Sequence, residues 1–191
     1  MGIEYLGQPL LFLIDTLFSL YVFALLLRFL LQLVEADFYN PVSQFLVKIT
    51  HPLLRPLRRV LPSVGRVDSA SIALVFIVQI LAGYLIFTLQ GLALNPVALS
   101  VWALLQILDM LFNLYIYGIL VVALLSWFAT ATYNPAIKLL HGLMDPVLDF
   151  FRGLIPAIGG VDLSPMAAFV ALQVLKMLIT PPLQQLLVVL G

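Results

Sequence analysis

Asp15, Asp109 and Lys176 stand inside long apolar runs of this sequence. An ionised side chain is costly to place in hydrocarbon, so each marks either an ion or proton path or a pairing that neutralises it. Asp15 and Asp109 lie about 28 Å, counted along a helix, from the ends of their runs at Val34 and Phe128. That places them toward the opposite membrane boundary, as a candidate paired cation or proton site. Lys176 is deeper, about 16 Å from the start of its run near Pro165. Thr180-Pro181-Pro182 is expected to bend or break that helix and free the carbonyls of Met177 and Leu178. Lys176 is therefore expected to pair with those carbonyls, with Asp15 or with Asp109. Arg28, about 9 Å from Val34, lies within snorkelling reach of the interface.

Outside the apolar runs, the basic residues Lys48, Arg55, Arg58 and Arg59 gather between Asn40 and Pro62 without an acidic residue among them. They form a candidate docking surface for anionic lipid or an acidic partner. Between Asn134 and Pro156, Lys138 and Arg152 are instead balanced by Asp145 and Asp149. The sequence contains no Walker loop, dinucleotide fingerprint or zinc-ligand spacing. It has no cysteine, which excludes a disulfide framework, a thiolate metal site and a cysteine nucleophile. No catalytic group, metal or cofactor is expected, because no nucleophile, base and electrostatic stabiliser can be placed together.

The elements that position these residues follow from composition. With 63% of its 191 residues hydrophobic and 9% charged, the chain is too apolar for a solvated surface. Its nine basic and nine acidic residues cancel, giving no electrostatic reason to expect nucleic acid. The opening MGIEYLGQPL lacks the basic n-region of a secretory signal, so the first apolar run is expected to be retained. A spanning helix needs roughly 20 apolar residues, and Leu10 to Val34, Ile72 to Leu94, Val97 to Phe128 and Met166 to Leu190 qualify. The third run, about 48 Å as a helix, exceeds a hydrocarbon core of about 30 Å, so its Val97 end is expected to project or break.

Moving the chain along itself by the distance from Asp15 to Asp109 superposes further landmarks without gaps. Asn40-Pro41 falls on Asn134-Pro135, Pro52 on Pro146, Arg58 on Arg152, Pro62 on Pro156, Gly65 on Gly159 and Asp68 on Asp162. The chain therefore reads as two parallel tandem repeats. Residues 1–94 hold spans at about 10–34 and 72–94 around a connector at 35–71. Residues 95–191 hold spans at about 109–128 and 166–190 around a connector at 129–165. The expected fold is an all-α integral membrane protein with four transmembrane helices.

Each connector opens with the side chain and order of a helix N-cap followed by proline. In the first, Val42, Leu46, Ile49, Leu53 and Leu57 oppose Gln44, Lys48, His51, Arg55 and Arg58, as in an amphipathic helix lying in the headgroup plane. The second repeats the stripe with Ile137, Leu140, Met144, Val147 and Phe151. Asp68 or Ser69, and Ser164 before Pro165, are expected to cap the following spans. Ala167 and Ala171 offer a small-xxx-small step for close packing. His51 matches Asp145 rather than His141, which argues against a symmetric haem or metal pair.

These motifs, NPVSQFLVKITHPLLRPLRRVLPSVGRVDSAS and NPAIKLLHGLMDPVLDFFRGLIPAIGGVDLSP, resemble those of the YggT (YlmG-like) family of small bacterial and plastid membrane proteins. The resemblance covers nearly the whole chain. The second copy departs from it in having Asp149 and Gly153 where the first has Arg55 and Arg59. It implies roles in osmotic-stress tolerance and ion uptake, with division-site proteins or in plastid cytochrome maturation, and defines no active site. The expected function is a non-enzymatic accessory or scaffold protein of the bacterial inner membrane, supporting envelope or osmotic homeostasis. The alternatives are a small oligomeric ion transporter or channel and an assembly factor for membrane complexes. Expected partners are the bilayer, anionic lipid, a membrane or cytoplasmic protein, or a second copy of the chain.

Lys48, Arg55, Arg58, Arg59, Arg66, Lys138 and Arg152 all fall in the connectors, so the positive-inside rule places both connectors in the cytoplasm and both termini in the periplasm. Cysteines introduced at Glu4 and Gly191 should react with an impermeant thiol reagent added outside the cell membrane. Protection of both would reverse the assignment.

Overall fold

A computed structural model of the chain describes residues 2–128, 134–155 and 162–190. They form six helices: α1 (Gly2–Leu33), α2 (Pro41–Leu57), α3 (Ser69–Leu89), α4 (Pro96–Phe128), α5 (Pro135–Leu154) and α6 (Ser164–Leu190). Four of them, α1, α3, α4 and α6, are long and apolar enough to cross a membrane. The protein is an all-helical, multi-pass membrane protein, laid out as two units of span, amphipathic connector and span. Tyr133, Pro156, Gly159 and Gly160 lie outside the described residues.

The helix ends follow local chemistry. Asn40 and Asn134 cap α2 and α5, their side-chain oxygens accepting from Val42 N and Ala136 N at 2.9 Å. A third Asn-Pro step opens α4, where Asn95 Oδ1 accepts from Ala98 N at 2.8 Å. This cap starts the helix well before residue 109, and α4 then runs unbroken to Phe128. At roughly 50 Å it must tilt or project beyond a 30 Å core. Asp68 caps α3 as expected, whereas Gly91, at φ +73°, turns the chain soon after Leu89. Gly65, at φ +61°, makes the tight turn closed by reciprocal Val64 and Val67 backbone bonds. For α6 the expected serine cap gives way to Asp162, which accepts from Ser164 N at 2.9 Å. The prolines at 181 and 182 do not break α6, which continues to Leu190.

Within the first unit α1 packs on α3, within the second α4 packs on α6, and the units meet where α3 lies against α4. Val22 and Leu25 of α1 enclose a core with Leu54, Leu74 and Val78, while Leu26 and Leu30 meet Ile119, Val122, Met144, Leu148 and Ala168 across the repeat boundary. The close approach of α6 thus uses Ala168, fully buried, in place of the Ala167/Ala171 step. The connector stripes also divide: Leu46 and Leu54 turn into the bundle, whereas Phe45, Leu53 and Val60 stay exposed.

Two glycines let neighbouring helices touch. A Cβ on Gly83 would come within 2.5 Å of the Trp102 ring and 2.8 Å of Leu99, and one on Gly118 within 2.6 Å of Met144 sulfur. The indole is further held edge-on against Phe87 at 5.4 Å, whereas a methionine side chain can move aside. Gly83→Ala should therefore cost about 1–3 kcal/mol of stability and Gly118→Ala less than about 1 kcal/mol. Thermal unfolding in detergent checks the order, and a larger loss at Gly118 would contradict this packing.

Candidate functional site

The polar side chains within the spans converge in the second repeat. Lys176 of α6 reaches α4, its Nζ lying 2.5 Å from Asp109 Oδ1 and donating to Asn113 Oδ1 at 2.7 Å. Asn113 Nδ2 donates in turn to Asp109 Oδ2 at 2.8 Å. Both carboxylate oxygens are engaged and the ion pair is neutral overall, so the group satisfies itself without water. The side chain of Asn95 also donates to the Leu190 carbonyl, tying the start of α4 to the end of α6. Counted along their helices, Asp109 and Lys176 each lie about 21 Å from that junction.

Of the partners open to Lys176, the structure selects Asp109. The carbonyls of Met177 and Leu178 are not its partners, because α6 stays helical through the two prolines. Asp15 is not brought to the centre: it is exposed on α1 and forms no ion pair among the described residues. The repeat explains why. Ser19 and Ala82 occupy the first-copy positions of Asn113 and Lys176, so Asp15 has neither partner. Sequence reasoning missed Asn113, although its position one turn from Asp109 on an apolar helix was a usable signal.

Beside this centre is a cleft of about 510 Å³ between the two units, bordered by Ser19, Gln79, Gln106, Asp109, Asn113 and Tyr117. Gln79, at the midpoint of α3, is 4% exposed and its Oε1 has no hydrogen-bond partner among the described residues. These groups can accept and donate hydrogen bonds. Among the described residues no three metal-ligating side chains come together.

The connectors carry the second polar system. Arg58, at the end of α2, bonds the fully buried carboxylate of Asp68 at the start of α3. Its repeat partner Arg152 donates from Nε to Asp162 at 3.1 Å and from Nη1 to Asp149 at 2.8 Å. Burial pushes the Asp68 carboxyl up, but Arg58 and Ser71 outweigh it and hold the group below the ordinary carboxylate range. At Asp162 the smaller cost of burial is likewise overcome by Ser164 and Arg152. Stability from both pairs is therefore present above the ordinary carboxylate range and is lost as pH falls through the depressed values.

Arg58 is thus committed within the fold, while Lys48, Arg55 and Arg59 are exposed and without an ion-pair partner among the described residues. Pro52 and Pro146 lie inside continuous connector helices, and Pro62 accepts from the Ser69 hydroxyl at 2.7 Å. The connectors also join each other: Asn40 Nδ2 donates to the Pro135 carbonyl at 2.8 Å, and Lys138 pairs with Asp37 at 3.3 Å. Arg28 turns toward the first connector. It is 7% exposed and donates to Thr50 of α2 at 2.6 Å.

Comparison with known proteins matches the CCB3/YggT family over residues 7–89 and again over 101–183, the same two units. The sequence is 40% identical to an uncharacterized protein of Pseudomonas aeruginosa, over 91% of this chain and 89% of that protein. It is 38% identical to the uncharacterized protein YggT of Escherichia coli, over 93% of this chain and 92% of that one. A chloroplastic YlmG homolog protein 2 of Arabidopsis thaliana is 48% identical over 31% of this chain and 24% of its own length. No solved structure matches.

The Asp109–Lys176 pair can be tested as a unit. Lys176→Leu or Asp109→Leu alone leaves a charge at membrane depth and should cost on the order of 2 kcal/mol, less than a fully enclosed pair because Asp109 borders the cleft. The double replacement should recover most of that loss. Equal, additive losses in unfolding measurements would show that the two side chains act separately.

Proposed function

This chain belongs to the CCB3/YggT family, and on that premise we propose that it is a non-enzymatic accessory or scaffold protein of the bacterial inner membrane, supporting envelope or osmotic homeostasis. The observation that carries this reading is the joining of the two connectors by the Asn40–Pro135 bond and the Lys138–Asp37 pair. The joined connectors carry exposed Phe45, Leu53, Phe150 and Leu154 and the cations Lys48, Arg55 and Arg59, exposed and without an ion-pair partner among the described residues. Exposed apolar side chains and basic heads on the connectors suit simultaneous contact with the bilayer and with an acidic membrane or cytoplasmic partner. Within the spans, by contrast, Lys176 is neutralised by Asp109, which favours a bracing role over ion conduction.

The cleft beside Gln79 favours a second reading, a small oligomeric transporter in which Asp109 and Lys176 open and close with the passing ion. Its polar lining and the unpartnered Gln79 oxygen support that alternative. Under both readings the connectors face the cytoplasm by the positive-inside rule.

Ion flux in proteoliposomes separates the two. The scaffold reading expects flux indistinguishable from protein-free vesicles, for the wild type and for Lys176→Leu alike. Flux well above that background, abolished by Lys176→Leu, would replace it with the transporter reading.

A further inference from the structure

A second cavity, of about 530 Å³, opens at the connector end of α1, bordered by Arg28, Gln32, Glu35, Ser43, Arg58 and Ser63. Its deepest cation is Arg28, which donates to Thr50 at 2.6 Å, while the Thr50 hydroxyl donates onward to the Leu46 carbonyl at 2.6 Å. No carboxylate pairs with Arg28 among the described residues. Arg58 spends Nη2 on Asp68, and its Nε, like the Ser43 hydroxyl, is buried without a partner among the described residues. Glu35, the one carboxylate on the cavity wall, is mostly exposed at the rim and pairs with Arg66 at 2.8 Å. Two guanidinium groups and a hydroxyl thus surround one space with hydrogen-bond capacity unused.

The second repeat supplies an internal control. At the positions of Arg28, Ser43 and Thr50 it has Val122, Ile137 and Met144, of which Val122 and Met144 are buried in the apolar core. Yet the Arg58–Asp68 pair recurs there as Arg152–Asp162. The fold therefore requires the pair and does not require the three extra polar groups. A buried, unpaired guanidinium is costly unless a counter-charge meets it.

We infer that this cavity is a binding site for a phosphate-type anion, with Arg28, the free Nε of Arg58 and the Ser43 hydroxyl as its donors. Guanidinium groups match phosphate oxygens in charge and geometry. Arg28 lies about 8 Å from the end of α1, near the level of lipid headgroups, and the cavity exceeds the size of a bare phosphate. The anion can come from a phospholipid headgroup or from free phosphate. The inference is independent of whether the protein scaffolds or transports.

Full-length protein in an uncharged detergent is titrated with phosphatidylglycerol and, separately, with inorganic phosphate, and bound molecules are counted by native mass spectrometry. One saturable site is expected. Arg28→Val/Ser43→Ile/Thr50→Met, which copies the second repeat, should weaken it roughly tenfold or more. Ser43→Ala, which leaves every charge in place, should weaken it about threefold and serves if the triple variant fails to fold. Saturable lipid binding that phosphate does not displace identifies a headgroup site, and saturable phosphate binding without lipid retention identifies a free-anion site. Undiminished binding by Ser43→Ala, or by a folded triple variant, overturns the inference.

Discussion

A carboxylate with no solvent exposure, Asp68, sits where the first connector becomes the second span, and the placement of the connector depends on its pairing with Arg58. Left alone, a buried carboxylate would be protonated or would pull the helix start toward water. Here it accepts from Arg58, from the Ser71 hydroxyl at 2.8 Å and from the Ser71 amide, so one side chain caps α3 and anchors the end of α2. With α2 fixed at that end, Leu54 packs against Val22 and Leu25, and Thr50 comes within reach of Arg28. The same pair recurs in the second copy on a more exposed surface, where Asp149 shares Arg152.

On this common frame the copies carry different polar side chains. The first holds them at the connector end, in Arg28, Ser43 and Thr50. The second holds them at membrane depth, in Asp109, Asn113 and Lys176, where the first has Asp15, Ser19 and Ala82. Duplication therefore produced two related units rather than two equivalent sites. The connector surface and the cleft between the units both use residues from each copy.

Much of the frame was legible in the sequence. The repeat offset, the apolar runs and the Asn-Pro caps are local patterns, and they gave the helices, their order and the paired connectors. What escaped depends on how helices meet. Arg28 reads as a snorkelling anchor by its distance from the end of α1, but its fate is set by Thr50 on another helix. The two prolines of α6 read as a break, yet the helix passes through them, which removes the freed carbonyls and leaves Asp109, one of the expected partners, for Lys176. Gln79 gains meaning only once α3 and α4 are assembled around the cleft.

The central claim, that the pairing of Arg58 with the buried Asp68 holds the first connector to its span more strongly than the exposed pair holds the second, is tested most directly by double-mutant cycles on the stability of the detergent-solubilised protein. Arg58→Gln, Asp68→Asn and their combination form one cycle, and Arg152→Gln with Asp162→Asn the other. The account predicts a coupling energy of about 1–3 kcal/mol in the first cycle. In the second, where the pair is exposed, it predicts less than about 1 kcal/mol. Additive effects in the first cycle, or a larger coupling in the second, would contradict it.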